Sequence, residues 1–407
     1  MKSRFSLFTL LTALLFAPLA ALHAADAASE SSDRIVNAGD YGLKNIPSDR
    51  WDAKLFPDNP DSTDAIQAAC DAGAGRTVYI PAGLYRITKP IRVKSGTQVM
   101  GAGFCATKIS TEKPIAIFHL QKVGGPMTII RDLWTVGPLG GNWQGTGIWL
   151  EGCNGVTIRD CWVNGLGTGI RVDGISDTWL RNIAVEMCNR GIVVECEKLY
   201  PQHVAGNLRL TDCYGWQNYQ AGISLTNCRG VQIEGGGATG SRYGILAKNC
   251  ADVTMTGFMV NMSGEDKYRK FGVRLEDCEH VTAGHNIIQG MVEYGLAAVR
   301  CKRVTLTANV IRSTSAGPGM IVDQCRLSSV SANNVSGSGK ESIAITGSHD
   351  LSITGNVVDS YGLAADSKEK TAGIAIDAQS SNCEHVGNIP KPTVGAASPE
   401  PKTGAAK

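Results

Sequence analysis

The sequence predicts an all-β fold, a single-stranded, right-handed parallel β-helix with a short capping helix at its N-terminal end. The prediction rests on a repeat of about 22 residues, on apolar side chains that alternate within each repeat, and on cysteines that keep the same register. The chain has 407 residues. A solenoid can accommodate that length in one domain, because each coil contacts only its neighbours.

Each repeat opens with a small residue, in nine cases glycine, followed by an aliphatic residue. The steps between successive openings are 22, 22, 31, 22, 28, 23, 24, 23 and 31 residues. The ten openings are Gly147, Gly169, Gly191, Gly222, Gly244, Gly272, Gly295, Gly319, Ser342 and Gly373. About 22 residues at about 3.3 Å each trace roughly 70 Å, which suits one circuit of a narrow tube. The long steps predict insertions near Glu197–Asn207, Asn261–Lys270 and Tyr361–Thr371.

Two polar or weakly polar residue types recur at fixed places in the repeat. Cysteines stand six residues after the opening position at Cys153, Cys228, Cys250, Cys278, Cys301 and Cys325. Side chains stacked in register fit disulfide geometry poorly, so we expect buried, reduced thiols. Asparagines stand fourteen residues after the opening position at Asn286, Asn309, Asn333 and Asn356. We expect these asparagines to be structural, with sugar contact as the alternative.

The termini predict export and a disordered tail. Lys2 and Arg4 precede an apolar run, and residues 1–24 fit a cleaved signal peptide better than the alternative, a membrane anchor. The β-helix domain is expected at residues 34–390 and a disordered tail at 391–407. Loss of the signal reduces the 39 basic residues to 37, equal to the 37 acidic ones, which argues against nucleic acid as a partner. We expect a secreted or periplasmic protein without membrane contact after signal removal.

The N-terminal third is less repetitive. It contains Asp40-Tyr41-Gly42, a helical stretch at Asp61–Cys70 capped by Asp61 or Ser62, and Thr77–Tyr85 followed by Gly101-Ala102-Gly103. A helix here can cover the open end of the first coil. These strings resemble the N-terminal signature of the pectate-lyase superfamily, which includes rhamnogalacturonase-like and epimerase-like proteins. The resemblance implies a pectin-lyase-like β-helix that acts on or binds extracellular polysaccharide.

An acidic stack is expected on the outer surface of the first strand of each coil. Glu151, Asp173 and Glu195 occupy the same outward position on three successive coils. Stacked carboxylates could hold calcium, or Asp173 and Glu195 could divide acid and base roles in catalysis. Their spacing does not choose between retaining and inverting glycosidase chemistry. The alternative is a solvated face neutralised by Arg171.

The middle coils favour a different chemistry, proton abstraction next to a uronate carboxylate. This reaction needs a cation to neutralise the carboxylate and a base to take the proton. The candidate catalytic residues of this group are Tyr243, Lys248 and Arg274. The candidate substrate-binding residues on the same surface are Trp149, Arg171, Arg242, Lys270 and Glu276. The alternatives are scattered surface cations and an ordinary ion pair between Lys248 and Glu276.

The sequence therefore favours a lyase or epimerase that acts on an acidic glycan. A glycoside hydrolase is a second alternative, but the paired Asp and the Gly-His-Gly of polygalacturonases, which share the fold, are missing from the corresponding positions. A non-catalytic carbohydrate-binding solenoid is the third. No cofactor is implied beyond calcium as a candidate.

Overall fold

The computed structural model of the protein describes residues 35–46, 59–125, 128–138, 143–174, 176–198, 206–262, 269–364 and 371–396. The predicted signal peptide and residues 397–407 of the predicted tail lie outside these ranges. Most of each predicted insertion, at 199–205, 263–268 and 365–370, also lies outside them.

The N-terminal helix forms as predicted. A 3-10 helix at Ala38–Tyr41 precedes α1 (Thr63–Ala72). The Asp61 carboxylate accepts hydrogen bonds from the backbone and hydroxyl of Thr63, at 2.8 and 2.5 Å, so Asp61 caps α1. Ile66, Ala69 and Cys70 of this helix are fully buried. The helix packs on the first strands of the chain and covers the end of the core.

The remaining ordered elements are strands. The first seventeen are β1 (Ile35–Asn37), β2 (Thr77–Ile80), β3 (Gly83–Arg86), β4 (Ile91–Arg92), β5 (Gln98–Gly101), β6 (Thr107–Ser110), β7 (Ala116–Gln121), β8 (Thr128–Val136), β9 (Thr146–Glu151), β10 (Val156–Asn164), β11 (Thr168–Asp173), β12 (Thr178–Glu186), β13 (Arg190–Glu195), β14 (Leu208–Trp216), β15 (Ala221–Thr226), β16 (Arg229–Glu234) and β17 (Gly237–Thr239). The others are β18 (Tyr243–Lys248), β19 (Ala251–Thr256), β20 (Met259–Asn261), β21 (Phe271–Glu276), β22 (Glu279–Gly284), β23 (Ile287–Gln289), β24 (Tyr294–Val299), β25 (Lys302–Thr307), β26 (Val310–Thr314), β27 (Met320–Asp323), β28 (Arg326–Ser331), β29 (Asn334–Ser338), β30 (Ile343–Thr346), β31 (His349–Thr354), β32 (Val357–Asp359), β33 (Ile374–Asp377), β34 (Ser381–Val386) and β35 (Thr393–Ala396).

The repeat openings mark one continuous parallel sheet, here called the front sheet. Its thirteen strands follow the order β4, β7, β9, β11, β13, β15, β18, β21, β24, β27, β30, β33 and β35. Ten of them, β9 to β33, are the ten units of the sequence repeat, in the predicted register. The strands β4, β7 and β35 were missed because no glycine-aliphatic step opens them. The strand β35 also corrects the predicted tail, since residues 393–396 pair with β33.

The opening glycine is required by close packing between the walls of the tube. A Cβ atom added at Gly169 would lie 2.1 Å from Cγ1 of Val185 and 2.9 Å from the carbonyl oxygen of Gly191. A Cβ atom added at Gly295 would likewise lie 2.4 Å from Cγ2 of Ile311. Neither neighbour can move without opening the core. The repeat signature is therefore a steric consequence of the narrow tube.

The second wall, here called the back sheet, consists of two bands joined at a corner. In the N-terminal coils one long strand, such as β10 or β12, spans both bands and turns the corner at a single residue. These corner residues are Asp132, Asp160, Asn182 and Asp212, with φ between 48° and 58°. Asp and Asn tolerate this left-handed conformation better than most other residues. In later coils the corner is longer, and each band has its own strand.

The asparagine ladder fills this longer corner and is structural, as predicted. Asn309 is fully buried, and its Nδ2 donates to the carbonyl of Ala283 at 2.9 Å and to Oδ1 of Asn333 at 3.0 Å. Its Oδ1 accepts from the backbone and the side chain of Asn286. Asn388 extends the ladder by one rung. Each side chain thus satisfies backbone groups that the corner removes from the sheets.

The cysteine ladder is also confirmed. Hydrogen bonds with the neighbouring thiols of Cys196 and Cys250, together with burial, raise the pKa of the Cys228 thiol. The Sγ of Cys301 accepts from the backbone N–H of Cys278 at 3.4 Å. All thirteen cysteines are free, and eleven of them are buried. These side chains serve as small apolar groups in the core.

Thiol labelling should separate the cysteines sharply. In the folded protein, Ellman's reagent should react quickly with the exposed Cys105 and more slowly with the half-buried Cys383, while the other eleven react only after unfolding. Denaturant without reductant should release thirteen thiols. Fewer than thirteen would reveal disulfides and contradict the ladder.

Candidate functional site

The outer face of the front sheet presents two rows of side chains in the predicted register. The row two residues after each opening reads Arg92, His119, Trp149, Arg171, Val193, Ser224, Leu246, Arg274, Ala297, Ile321, Ala344 and Ala375. The row four residues after it reads Gln121, Glu151, Asp173, Glu195, Thr226, Lys248, Glu276, Val299, Asp323 and Thr346. Apart from Arg92 and Asp323, the charged residues of these rows fall into two groups separated by β15, which presents only Ser224 and Thr226.

The first group, here called the N-terminal cluster, consists of His119, Trp149, Glu151, Arg171, Asp173, Arg190 and Glu195. The His119 imidazole stacks on the Trp149 indole, with ring centroids 4.0 Å apart and planes 9° apart. The Arg171 guanidinium lies 5.0 Å from the centroid of the same indole. The two side chains neighbouring Trp149 along its row therefore pack against its ring system. A sugar cannot use Trp149 as an open stacking platform.

Each carboxylate of the N-terminal cluster has its own partner. Glu151 Oε2 lies 2.8 Å from His119 Nε2, and Asp173 accepts from Trp149 Nε1 at 2.8 Å and from Arg171 Nε at 2.9 Å. Glu195 lies 3.5 Å from Arg190 and 3.9 Å from Arg171.

The predicted calcium site at Glu151, Asp173 and Glu195 is not supported. Among the described residues, no group of three or more His, Cys, Asp or Glu side chains could hold a metal ion. The acidic stack exists in the predicted register, but Arg171, Arg190 and His119 meet its charges. This arrangement matches the neutralised face that was the alternative interpretation.

The pair of His119 and Glu151 makes folding sensitive to pH. Burial lowers the pKa of His119, and the hydrogen bond from His119 lowers the pKa of Glu151. The unfolded chain therefore binds a proton at His119 more readily, so stability should fall as pH drops through about 6.5. We expect His119→Gln to reduce the loss of stability between pH 7 and pH 5, measured by denaturant unfolding. Equal losses in both proteins would contradict this role.

The second group, here called the middle cluster, consists of Tyr243, Lys248, Phe271, Arg274, Glu276, Tyr294 and Arg300. Its base is a stack of three rings on successive strands. The centroids of Tyr243 and Phe271 are 4.4 Å apart, and those of Phe271 and Tyr294 are 5.2 Å apart. Phe271 and Tyr294 are buried although they lie outside the core of the tube. The stack thus forms a small apolar layer on the outer face.

Polar groups of the middle cluster converge beside this layer. Arg274 Nη1 donates to the Tyr294 hydroxyl at 2.8 Å, and Arg274 Nε donates to Glu276 at 3.1 Å. Burial raises the pKa of Tyr294 to about 12. The alternative interpretation, an ion pair between Lys248 and Glu276, is not observed. Arg274 and Arg300 bind the Glu276 carboxylate instead, with Arg300 Nη2 at 2.6 Å. Lys248 is exposed, without an ion pair to any residue that the structure describes.

The turn that enters the front sheet contributes three more charges. Arg242, Lys270 and Glu293 lie on successive rungs, joined by backbone hydrogen bonds. Lys270 Nζ lies 2.9 Å from Glu293 Oε1, and the Arg242 guanidinium lies 5.3 Å from the Tyr243 ring centroid. Both predicted binding residues therefore border the middle cluster, and Lys270 already has a partner.

Sequence reasoning missed several members of these clusters. His119 lies on β7, and the unit that contains β7 does not begin with glycine, so the repeat did not reveal it. The repeat would have placed His119 beside Trp149 only if its register had been extended one coil before Gly147. Arg300 follows β24 in a turn with a φ of 52°, from which it reaches back across one rung. Tyr294 directly precedes the opening Gly295, but its hydrogen bond with Arg274 depends on side-chain direction. The register aligns Cα atoms and does not give such contacts.

Comparison with known protein families agrees with this architecture. Residues 35–123 match the family described as rhamnogalacturonase A/epimerase, pectate lyase-like, which includes the region that carried the resemblance in the sequence. Residues 140–259 match the right handed beta helix region. These matches agree with the pectin-lyase-like parallel β-helix fold that the strands form. Residues 205–396 also match the family described as periplasmic copper-binding protein (NosD).

Several solved structures have a similar fold. The A-module of a mannuronan C-5 epimerase from Azotobacter vinelandii matches with a TM-score of 0.57 and 17% identity, covering 88% of this chain and 99% of that one. Tailspike protein 3 of bacteriophage CBA120 matches with a TM-score of 0.56 and 13% identity, covering 91% of this chain and 61% of that one. The catalytic unit of an α-1,3-glucanase from Streptomyces thermodiastaticus matches with a TM-score of 0.52 and 14% identity, covering 89% of this chain and 70% of that one. A comparison with curated proteins finds no match.

The residues of this chain do not fit a copper site. Copper(I) prefers accessible thiolate or imidazole groups. The ladder thiols are buried, and Cys228 and Cys278 bond to backbone carbonyls of the core. As for calcium, the described chain has no cluster of three metal-binding side chains. Within the same residues, no helix is long and apolar enough to span a bilayer.

Proposed function

We propose that this protein is an exported polysaccharide lyase or epimerase that acts on an acidic, uronate-containing glycan bound along the outer face of the front sheet. One observation carries the proposal. In the middle cluster, Lys248 is an exposed ammonium without an ion-pair partner among the described residues. It lies one rung from the Arg274 guanidinium, which donates at 2.8 Å to the phenol of Tyr294, one rung further on. An ammonium, a guanidinium and a phenol are the groups that chemistry next to a uronate carboxylate requires.

The first role is neutralisation of the substrate carboxylate. The charge of Arg274 is shared with Glu276, whereas that of Lys248 is not paired among the described residues. Lys248 therefore binds the uronate carboxylate, and Arg274 supports it from the next rung. Neutralisation makes the proton on the carbon next to the carboxylate more acidic, because it stabilises the charge that develops when that proton leaves.

The second role is proton transfer. Tyr243 is more exposed than Tyr294 and lies at the open end of the ring stack, so Tyr243 is the candidate base. Tyr294 keeps its proton at neutral pH, because burial raises its pKa to about 12. Loss of the substrate proton, followed by cleavage of the bond between the neighbouring carbon and the glycosidic oxygen, gives an unsaturated uronate. The departing oxygen takes up a proton and becomes the hydroxyl of a new chain end. Return of a proton to the opposite face gives the epimer.

The dimensions and sequence of the chain support the same assignment. The face from β7 to β24 spans eight strands, or roughly 34 Å, which is long enough for several sugar units. The family match at residues 35–123 and the likeness to a mannuronan epimerase module agree with a uronate substrate. The basic and apolar N-terminus, together with the match to a periplasmic family, supports export.

Product analysis tests the proposal. Purified protein is incubated with polygalacturonate and with alginate, and the products are followed by ultraviolet absorbance, proton NMR and reducing-end assay. Unsaturated ends or an altered ratio of epimers would support it. New reducing ends without unsaturation would show hydrolysis, in which Asp173 and Glu195 are the candidate acid and base. Absence of any product from these polymers would contradict catalysis on uronates.

A non-catalytic, carbohydrate-binding solenoid is the second candidate. It is favoured by the internal pairing of Asp173 with Arg171 and of Glu276 with Arg274, which leaves few free groups on the face. Such a protein would bind polygalacturonate or alginate without changing it. If activity is found and survives both Asp173→Asn and Glu195→Gln, the acidic stack is only a solvated surface.

A further inference from the structure

A second cluster of aromatic and polar side chains lies on the back sheet, away from the front-sheet face described above. On the outward side of β10, β12 and β14, Trp162, Ala184 and Tyr214 occupy one row. Asn164, Glu186 and Trp216 occupy the next row. Ala184 thus lies between two aromatic residues that are two rungs, or roughly 10 Å, apart. The methyl group leaves a gap between the rings.

The aromatic residues around this gap are unusually open. Trp162 packs one face on Trp134, with centroids 4.6 Å apart and planes 9° apart, and the next rung on its other side carries only Ala184. Tyr214 is 50% exposed and Trp216 is 49% exposed. Exposed aromatic groups in a contiguous patch indicate a binding surface. Flat rings of this kind pack well against the apolar C–H face of a pyranose.

Glu186 provides the polar component. Its side chain is only 5% exposed, and its Oε2 accepts from Trp162 Nε1 at 3.1 Å and from Asn164 Nδ2 at 3.4 Å. No arginine, lysine or histidine pairs with it among the described residues, and burial raises its pKa. Both hydrogen bonds reach the same oxygen, which leaves Oε1 for another donor. An unpaired carboxylate in such a place is costly for the fold.

Neighbouring polar atoms are also unsatisfied. Asn164 is 2% exposed, and its Oδ1 has no hydrogen-bond partner in the described part of the protein. Nε1 of Trp134, on the rung before Trp162, lacks one as well. Buried polar atoms without partners are rare in folded proteins, and each requires an explanation. Both atoms lie behind the exposed surface, so Glu186 is the polar group of this cluster that remains for a ligand.

We propose that Trp162, Glu186, Tyr214 and Trp216 form a second saccharide-binding site, which takes a neutral hexopyranose unit. The aromatic rings hold the apolar face of the sugar, and the Glu186 carboxylate accepts from one of its hydroxyl groups. A uronate is disfavoured, because its carboxylate would face that of Glu186 without an intervening cation. The site is independent of the front sheet and has a different ligand class.

Affinity electrophoresis in native gels tests the site. The probes are dextran, hydroxyethyl cellulose and galactomannan, with polygalacturonate in a separate gel to report on the front sheet. We expect at least one neutral polymer to retard the wild-type protein. We expect Tyr214→Ala and Trp216→Ala to weaken that association about tenfold, as expected for residues that dominate a binding surface, and Glu186→Gln to weaken it less.

Trp179→Ala is the matched control, because Trp179 is 52% exposed on the other band of the back sheet. It should leave the retardation unchanged. Lack of retardation by all three neutral polymers, or an equal loss in Trp179→Ala and Trp216→Ala, would overturn the proposal. Polygalacturonate retardation would be unaffected by the Tyr214 and Trp216 variants, so failure here is separate from failure of the front-sheet proposal.

Discussion

Replacement of Lys248 by alanine is expected to lower kcat on a uronate polymer by about 100-fold or more, the loss typical of a removed electrostatic stabiliser. The side chain is exposed and without an ion-pair partner among the described residues, so its removal should leave the fold intact. Lys248 also lies beside Glu276, whose pKa is lowered chiefly by Arg300 and Arg274. The measurement is steady-state kinetics on the polymer that the wild type converts.

Lys302→Ala is the control for this variant. Lys302 is an exposed lysine on the back sheet, and its Nζ lies 3.6 Å from Glu279 Oε1. Its substitution removes the same charge from the protein. It should retain wild-type kinetics. Full activity in Lys248→Ala, or equal losses in both variants, would show that Lys248 does not contact the substrate.

Asn309→Leu is expected to lower the free energy of unfolding by about 3–5 kcal/mol, because it breaks the asparagine ladder in its middle. The backbone N–H of Asn286 and the carbonyl of Ala283 would both lose their partners in a fully buried corner. Each orphaned buried group costs about 1–3 kcal/mol. Denaturant unfolding followed by circular dichroism measures the change.

Asn334→Leu serves as the comparison for the ladder variant. Asn334 lies one coil further along, next to the ladder residue Asn333, but its side chain is exposed. A surface substitution of this kind should change stability by no more than about 0.5 kcal/mol. Similar stabilities for the two variants would mean that the buried asparagines are not structural.

The ladders and the front sheet could be predicted because the tube imposes strict spacing on the sequence. Gly169 and Gly295 mark close contacts between walls, and Cys228 and Asn309 mark corners that recur over several successive coils. Spacing repeats only where the physical requirement repeats. The strands β4, β7 and β35 lack the close glycine contact, so the repeat pattern in the sequence did not predict them.

The candidate site was predictable only at the level of position. The register aligned Glu151, Asp173 and Glu195 and identified the neighbouring Arg171. It did not reveal that Arg300, and not Lys248, would form an ion pair with Glu276, because an arginine side chain can span one rung in either direction. It also gave no sign of Glu186, whose importance depends on burial and on the absence of a cation nearby.

The most direct test of the front sheet as the glycan-binding face is the affinity of Ser224→Glu for polygalacturonate. Ser224 lies on β15, between the N-terminal and middle clusters, so any chain that contacts both must cross it. Thr305→Glu places the same charge at a similarly half-exposed position on the back sheet. We predict that Ser224→Glu weakens binding about tenfold through like-charge repulsion, less so at high salt, and that Thr305→Glu binds as wild type. Unchanged binding in Ser224→Glu would place the glycan elsewhere and contradict the account.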